Sequence, residues 1–139
     1  MTDIEMAKNR LEGHSICLCK NGETIVDDSK GISPMMKLLA QGQDLNGWSA
    51  ADIIVGKAAA MLFVKAGIKQ VYARVLSHSG KELLERFNIP CEYGTLTEKI
   101  INRRGTDICP MEKTVADIDD IEQGYLALQA RLEQMKNNR

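Results

Sequence analysis

The chain has almost no surplus charge, no long apolar run, no paired-cysteine motif and only two histidines, and each shortage narrows its function. Eighteen Lys and Arg against nineteen Asp and Glu give a formal net charge of −1 over 139 residues. No basic excess exists to track a phosphate backbone, so nucleic acid is not expected as a partner. The longest apolar stretch, Ala58 to Val64, falls far short of the roughly 20 residues of a membrane span. The opening segment MTDIEMAKNRLEGH is acidic and amphipathic, without the basic and apolar regions of a signal peptide. A soluble cytoplasmic chain with no membrane contact is the expectation. In that compartment Cys17, Cys19, Cys91 and Cys109 are reduced thiols. There is no CxxC. Cys17 and Cys19 are one residue apart, which on a strand puts both on one face and suits packing better than a metal clamp.

What is present points to one domain over residues 1–139, large enough to bury a core without disulfides. Ile4, Ala7 and Leu11 recur at helical spacing, predicting a short helix over about 3–12. SICLCK and ETIVDD flank Asn21-Gly22, a strong hairpin signal. Ser33 followed by Pro34 predicts an N-cap and first helical residue, with the helix running to about Gln41. Ser49, with Asp52 three residues on, resembles a weak capping box, and AADIIVGKAAAMLFVKAG is apolar almost all round. That segment is expected to be one buried helix ending at Gly67. QVYARVL (Gln70 to Leu76) predicts a strand, SGKELLERFN a helix with Leu83, Leu84 and Phe87 on one face, and CEYG a further strand after Pro90. A short helix is expected from about Cys109 to Ala116 and an amphipathic one over about 120–136. In the latter, Ile121, Tyr125, Leu128, Leu132 and Met135 form a stripe for the domain or for a second copy in a homo-oligomer. The sum is an α/β fold whose mixed sheet starts with an antiparallel hairpin and continues by parallel crossovers.

That order of elements, together with AADIIVGKAAAMLFVKAGIKQVYARVLS, YGTLTEKIINRRGTDICPMEK and the final helix, resembles a small uncharacterised bacterial and archaeal family. It is a domain of unknown function placed among cytidine deaminase-like folds, and the resemblance spans roughly Ile16 to Leu132. It implies a three-layer α/β/α architecture. Zinc deaminases carry a His or Cys, then any residue, then Glu at the start of the buried helix, and Pro-Cys-x-x-Cys after the next strand. Here Gly56 stands where the ligand belongs and Ala58 where the acid belongs, while LSHSGKEL supplies no cysteine. His78 offers one nitrogen, and one ligand does not hold zinc. The resemblance therefore implies no zinc-dependent deamination, and no cofactor is expected.

Two function classes remain. The first is a binding module for a small anionic or nucleotide-like ligand, built from Asp52, Gly56 and Lys57 on one side and the loop Arg103, Arg104, Gly105, Thr106, Asp107 and Glu112 on the other. Gly56-Lys57 is not a phosphate loop, because Ala51 and Ala58 occupy positions that need Gly and Ser or Thr. Asp52 and Lys57 are nearly the only charges in an apolar segment, so each needs a partner or a cavity. Asp52 capping its own helix and Lys57 snorkelling to the surface are the bland accounts. The second class is a thiol-dependent group-transfer or redox enzyme using Cys109. If Asp107 caps the short helix, Cys109 sits in its first turn, where free N–H groups and nearby Arg103 and Arg104 favour thiolate. Gly105 and Thr106 would then shape an anion cradle. A nucleophilic cysteine also needs a base, and neither His14 nor His78 is near it in sequence, while Glu112 equally suits a cap. Cys109 as a small apolar plug is the plain alternative.

Overall fold

Asn21 and Gly22 both take positive φ, 50° and 86°, as a two-residue primed hairpin turn demands. They join β1 (Ile16–Lys20) to β2 (Glu23–Asp27), with Ile16 opposite Asp27 and Lys20 opposite Glu23. The computed structural model describes residues 1–102 and 104–137. Before the hairpin, α1 (Asp3–Leu11) buries Ile4, Ala7 and Leu11, and the Thr2 hydroxyl caps it by accepting from the Glu5 N–H. After it, α2 (Ser33–Ala40) places Pro34 in its first turn but starts one residue earlier than expected, with Ile32 and not Ser33 at the N-cap.

The segment expected as one helix from Ser49 to Gly67 is a strand followed by a helix. β3 covers Ser49–Val55, Gly56 is extended at φ −109° and ψ −167°, and α3 covers Lys57–Ala66. Ser49 and Asp52 therefore form no capping box. β3 lies between β1 and β4 and is buried on both faces from Ser49 to Asp52, in the manner of a central strand, with Ile54 exposed nearer its end. A short continuous apolar run is common to such a strand and a buried helix; the β-branched Ile53, Ile54 and Val55 ahead of a glycine are what favour the strand. Gly67 caps α3 at φ 78°, as expected of a left-handed C-cap.

β4 (Gln70–Ser77), α4 (His78–Arg86), β5 (Cys91–Thr97), α5 (Pro110–Val115) and α6 (Ile121–Asn137) complete the chain. The sheet order is β2-β1-β3-β4-β5, with β1 antiparallel to both neighbours and β3, β4 and β5 parallel. On one face α1 alone covers Cys17, Cys19 and Ala51; on the other, α2 through α6 enclose the larger core around Phe63, Met61, Leu62 and Leu84. Burial pushes the Cys17 and Cys19 thiols up from their ordinary value, consistent with two inert packing residues. The stripe on α6 meets the domain, with Leu128 buried in the larger core and Ile121, Tyr125 and Leu132 packed against it, while Met135 is exposed at the stripe's end. Among the described residues no helix is long and apolar enough to cross a membrane.

Halfway along β3 the strands change phase. Asp52 pairs with Ala73 and Ile54 with Val75, while Ile53 and Arg74 drop out of the register and the Ile53 N–H donates to the Ser15 carbonyl. Val71, Ala73 and Leu76 nonetheless all enter the larger core, which the even spacing of an undistorted strand does not allow. Across the same row, a side chain on Gly94 would come within 2.9 Å of the Arg74 carbonyl. Val55 and Leu76, near the ends of β3 and β4 and just ahead of α3 and α4, are buried in the larger core.

Candidate functional site

α3 and α4 both begin directly after parallel strands, at the edge where open α/β sheets bind ligands. The first turn of a helix carries N–H groups without intrahelical partners, and in α3 two of these are taken by the protein itself. Glu112, on α5, accepts from the Lys57 N–H with Oε1 and from the Ala58 N–H with Oε2, each at 2.8 Å. Charge-assisted bonds of this kind, at the positive end of a helix dipole, are among the stronger ones available. Gly56 makes room for that carboxylate: a Cβ there would run into it, with Oε2 only 2.8 Å away. A Cβ on Gly80 would come 3.0 Å from the Gly56 carbonyl carbon, so the two helix starts approach each other as backbone against backbone. The Lys57 side chain, 11% exposed, donates from Nζ to the Ala116 carbonyl at 3.1 Å and pairs with Asp119 at 3.3 Å. Two opposite charges thus fasten the segment from α5 to α6 onto the start of α3.

Beside this latch is a cleft of about 440 Å³. Ser79, Glu82, Leu83 and Arg86 line it from α4, spaced as one face of a helix. Glu98, Lys99 and Ile100 close it from the end of β5, Ile108 from the following loop, and Lys57, Glu112, Ala116 and Asp119 from the latch. Several of these charges are already committed: Lys57 and Asp119 to each other, Glu112 to the α3 amides, and Glu98 to His78 at 3.5 Å. Among the described residues Glu82, Arg86 and Lys99 make no ion pair. Ser77 caps α4, accepting from the Gly80 N–H at 3.0 Å, and its hydroxyl lies 3.2 Å from that of Ser79.

The residues singled out from sequence scatter around this cleft. Lys57 and Glu112 line it and Gly56 adjoins them. Asp52 belongs to mid-strand β3, not to a helix it could cap, and is 7% exposed. Burial pushes its carboxyl up to about 8, against the opposing effect of the nearby Ile54 and Ile53 N–H groups. Asn102, Arg104, Gly105, Thr106 and Asp107 form a loop closed by its own bonds. The Asn102 side chain accepts from the Thr106 N–H, and the Asn102 N–H donates to the Asp107 carbonyl. Arg103 lies outside the described residues.

Asp107 does not cap α5. The Asp107 carboxylate accepts from the Ile108 N–H and pairs with Lys113, which holds it below the ordinary carboxylate range. Cys109 is itself the N-cap residue, one position ahead of the expected first turn, and packs half-buried against the larger core. Its backbone is tied down at both ends, donating to the Ile100 carbonyl and accepting from the Lys113 N–H. His14 pairs with Asp28. Among the described residues no group of three His, Cys, Asp or Glu side chains is placed to hold a metal ion.

Ser79, Glu82, Arg86, Glu98, Lys99 and Asp119 are cleft residues that the sequence reading did not single out. For the α4 group a signal existed, a polar i, i+3, i+7 face opposite Leu84; for the rest none did, because the loop after β5 and the α5 to α6 turn meet the cleft only in the folded chain.

A family model described as "TM1506: Domain of unknown function (DUF1893)" matches residues 6–132. The crystal structure of a DUF1893 family protein (TM1506) from Thermotoga maritima is 21% identical and superposes with a TM-score of 0.85, covering 94% of this chain and 91% of that chain. At that identity the likeness is one of fold. No curated protein matches.

Proposed function

The chain belongs to the DUF1893 family, a domain of unknown function, and we propose that it is a small-molecule binding module whose cleft holds an anionic ligand on Arg86 and Lys99. The observation that carries this reading is the pair of cations lining one cleft, Arg86 from the last turn of α4 and Lys99 from just after β5, neither matched by a protein carboxylate among the described residues. Guanidinium and ammonium groups lining one cleft suit a carboxylate or phosphate. The order hairpin, strand, helix, strand, helix, strand supports a deaminase-like reading of the fold. On that reading the starts of α3 and α4 would face a metal, and here the Glu112 carboxylate fills the α3 side. That is a structural use of the position and leaves the ligand to the α4 side.

A thermal-shift and calorimetric screen of carboxylates, phosphates and nucleotides tests the proposal. Anions of a size to fit the cleft should stabilise the protein, and Arg86→Ala with Lys99→Ala should weaken binding at least tenfold while changing stability by no more than about 0.5 kcal/mol. A screen without stabilising anions, or binding unaltered in the double variant, overturns it.

A further inference from the structure

The pairing pattern on α4 says more about the ligand. Two acid-base pairs stand at i, i+4 on this helix. Lys81 and Glu85 are in the less favourable order, the base nearer the N-terminus, and they pair at 3.1 Å. Glu82 and Arg86 are in the favourable order, yet they form no ion pair, and both line the cleft. Of the cleft's four acids, Glu112, Asp119 and Glu98 have partners in the α3 amides, Lys57 and His78 respectively. Glu82 is the acid without one among the described residues. An anion held by Arg86 and Lys99 would keep Arg86 from turning back to Glu82, and Glu82 would then face the ligand as an acceptor-only group. A purely anionic ligand would be repelled by it; one that also carries an ammonium or amino group would be held at both ends.

Resting on the anion-binding reading above, we infer that the ligand is bipolar: a carboxylate or phosphate with an amino group a few bonds away, the anion on Arg86 and Lys99 and the amino group on Glu82. Matched probes separate this from anion binding in general. Succinate against L-aspartate, and glycerol 3-phosphate against phosphoethanolamine, are titrated calorimetrically into the wild-type chain and into Glu82→Gln. The amino-bearing member of each pair should bind the wild type about tenfold more tightly. Glu82→Gln should bring the two members within about twofold, while succinate and glycerol 3-phosphate bind it at least as well as they bind the wild type. Equal binding of both members to the wild type, or a preference that survives in Glu82→Gln, overturns the bipolar assignment and leaves the anion site standing. If no probe binds at all, the anion site itself falls.

Discussion

The first turn of α3 and the first turn of α4 stand side by side at the ends of adjacent parallel strands, close enough that Gly56 and Gly80 touch backbone to backbone. At α3 two amides take the Glu112 carboxylate, and the Lys57 ammonium takes Ala116 and Asp119. At α4 the cap is local, through Ser77, and the charged face from Glu82 to Arg86 is left open to the cleft. The contrast separates stability from recognition. Charges that the fold spends on itself are found at α3, and charges held ready for something else at α4.

Breaking the α3 side should have the largest effect. Gly56→Ala drives a methyl group into the Glu112 carboxylate, and Glu112→Ala removes it and leaves two N–H groups without their partner. Each should lower unfolding stability by about 2–4 kcal/mol in urea titration, with Glu112→Gln costing less because one amide acceptor remains. If Glu112→Ala unfolds at the wild-type urea concentration, the latch is not what holds α5 to α3.

Asp52 gives the next largest effect, and a pH signature. Its folded-state value of about 8 lies above the ordinary 3.8, so between about pH 4 and pH 8 the native chain keeps a proton that the unfolded chain has released. Stability should therefore fall as pH rises through that window, by an amount on the order of a few kcal/mol. Asp52→Asn should flatten this slope and leave the variant more stable than wild type at pH 8. A wild-type profile that is level over the window, or one that Asp52→Asn does not alter, would count against a neutral buried carboxyl.

Cys109 should show the smallest effect. Half-buried at the N-cap of α5 and absent from the cleft lining, it is expected to alkylate with iodoacetamide no faster than free cysteine. Cys109→Ser should shift stability by about 1 kcal/mol or less and leave anion affinity unchanged. Fast selective labelling near neutral pH would return the thiol-enzyme reading to the front.

How far the sequence revealed this arrangement depended on where each contact partner sits along the chain. Asn21-Gly22 carried its hairpin because a two-residue turn is local, and the α6 stripe declared itself because helical periodicity is local too. β3 did not, since burial on both faces removes the alternation that marks a strand, and Ser49 with Asp52 imitated a helix start. Gly56 and Lys57 stood out as anomalies in an apolar segment. The reason for both, a carboxylate from 55 residues further on, is a tertiary contact with no local signature. The polar face of α4 was present in the spacing of Ser79, Glu82 and Arg86, but helical spacing alone does not distinguish a cleft wall from a solvated surface.

The most direct test of the contrast is an amide chemical-shift titration with the tightest-binding anion found in the screen. The account predicts saturable shifts concentrated at Ser79 to Arg86 and at Lys99, with the Lys57 and Ala58 amides held in place by Glu112. Leading shifts at Lys57 and Ala58, or small shifts spread over the surface without saturation, would contradict it.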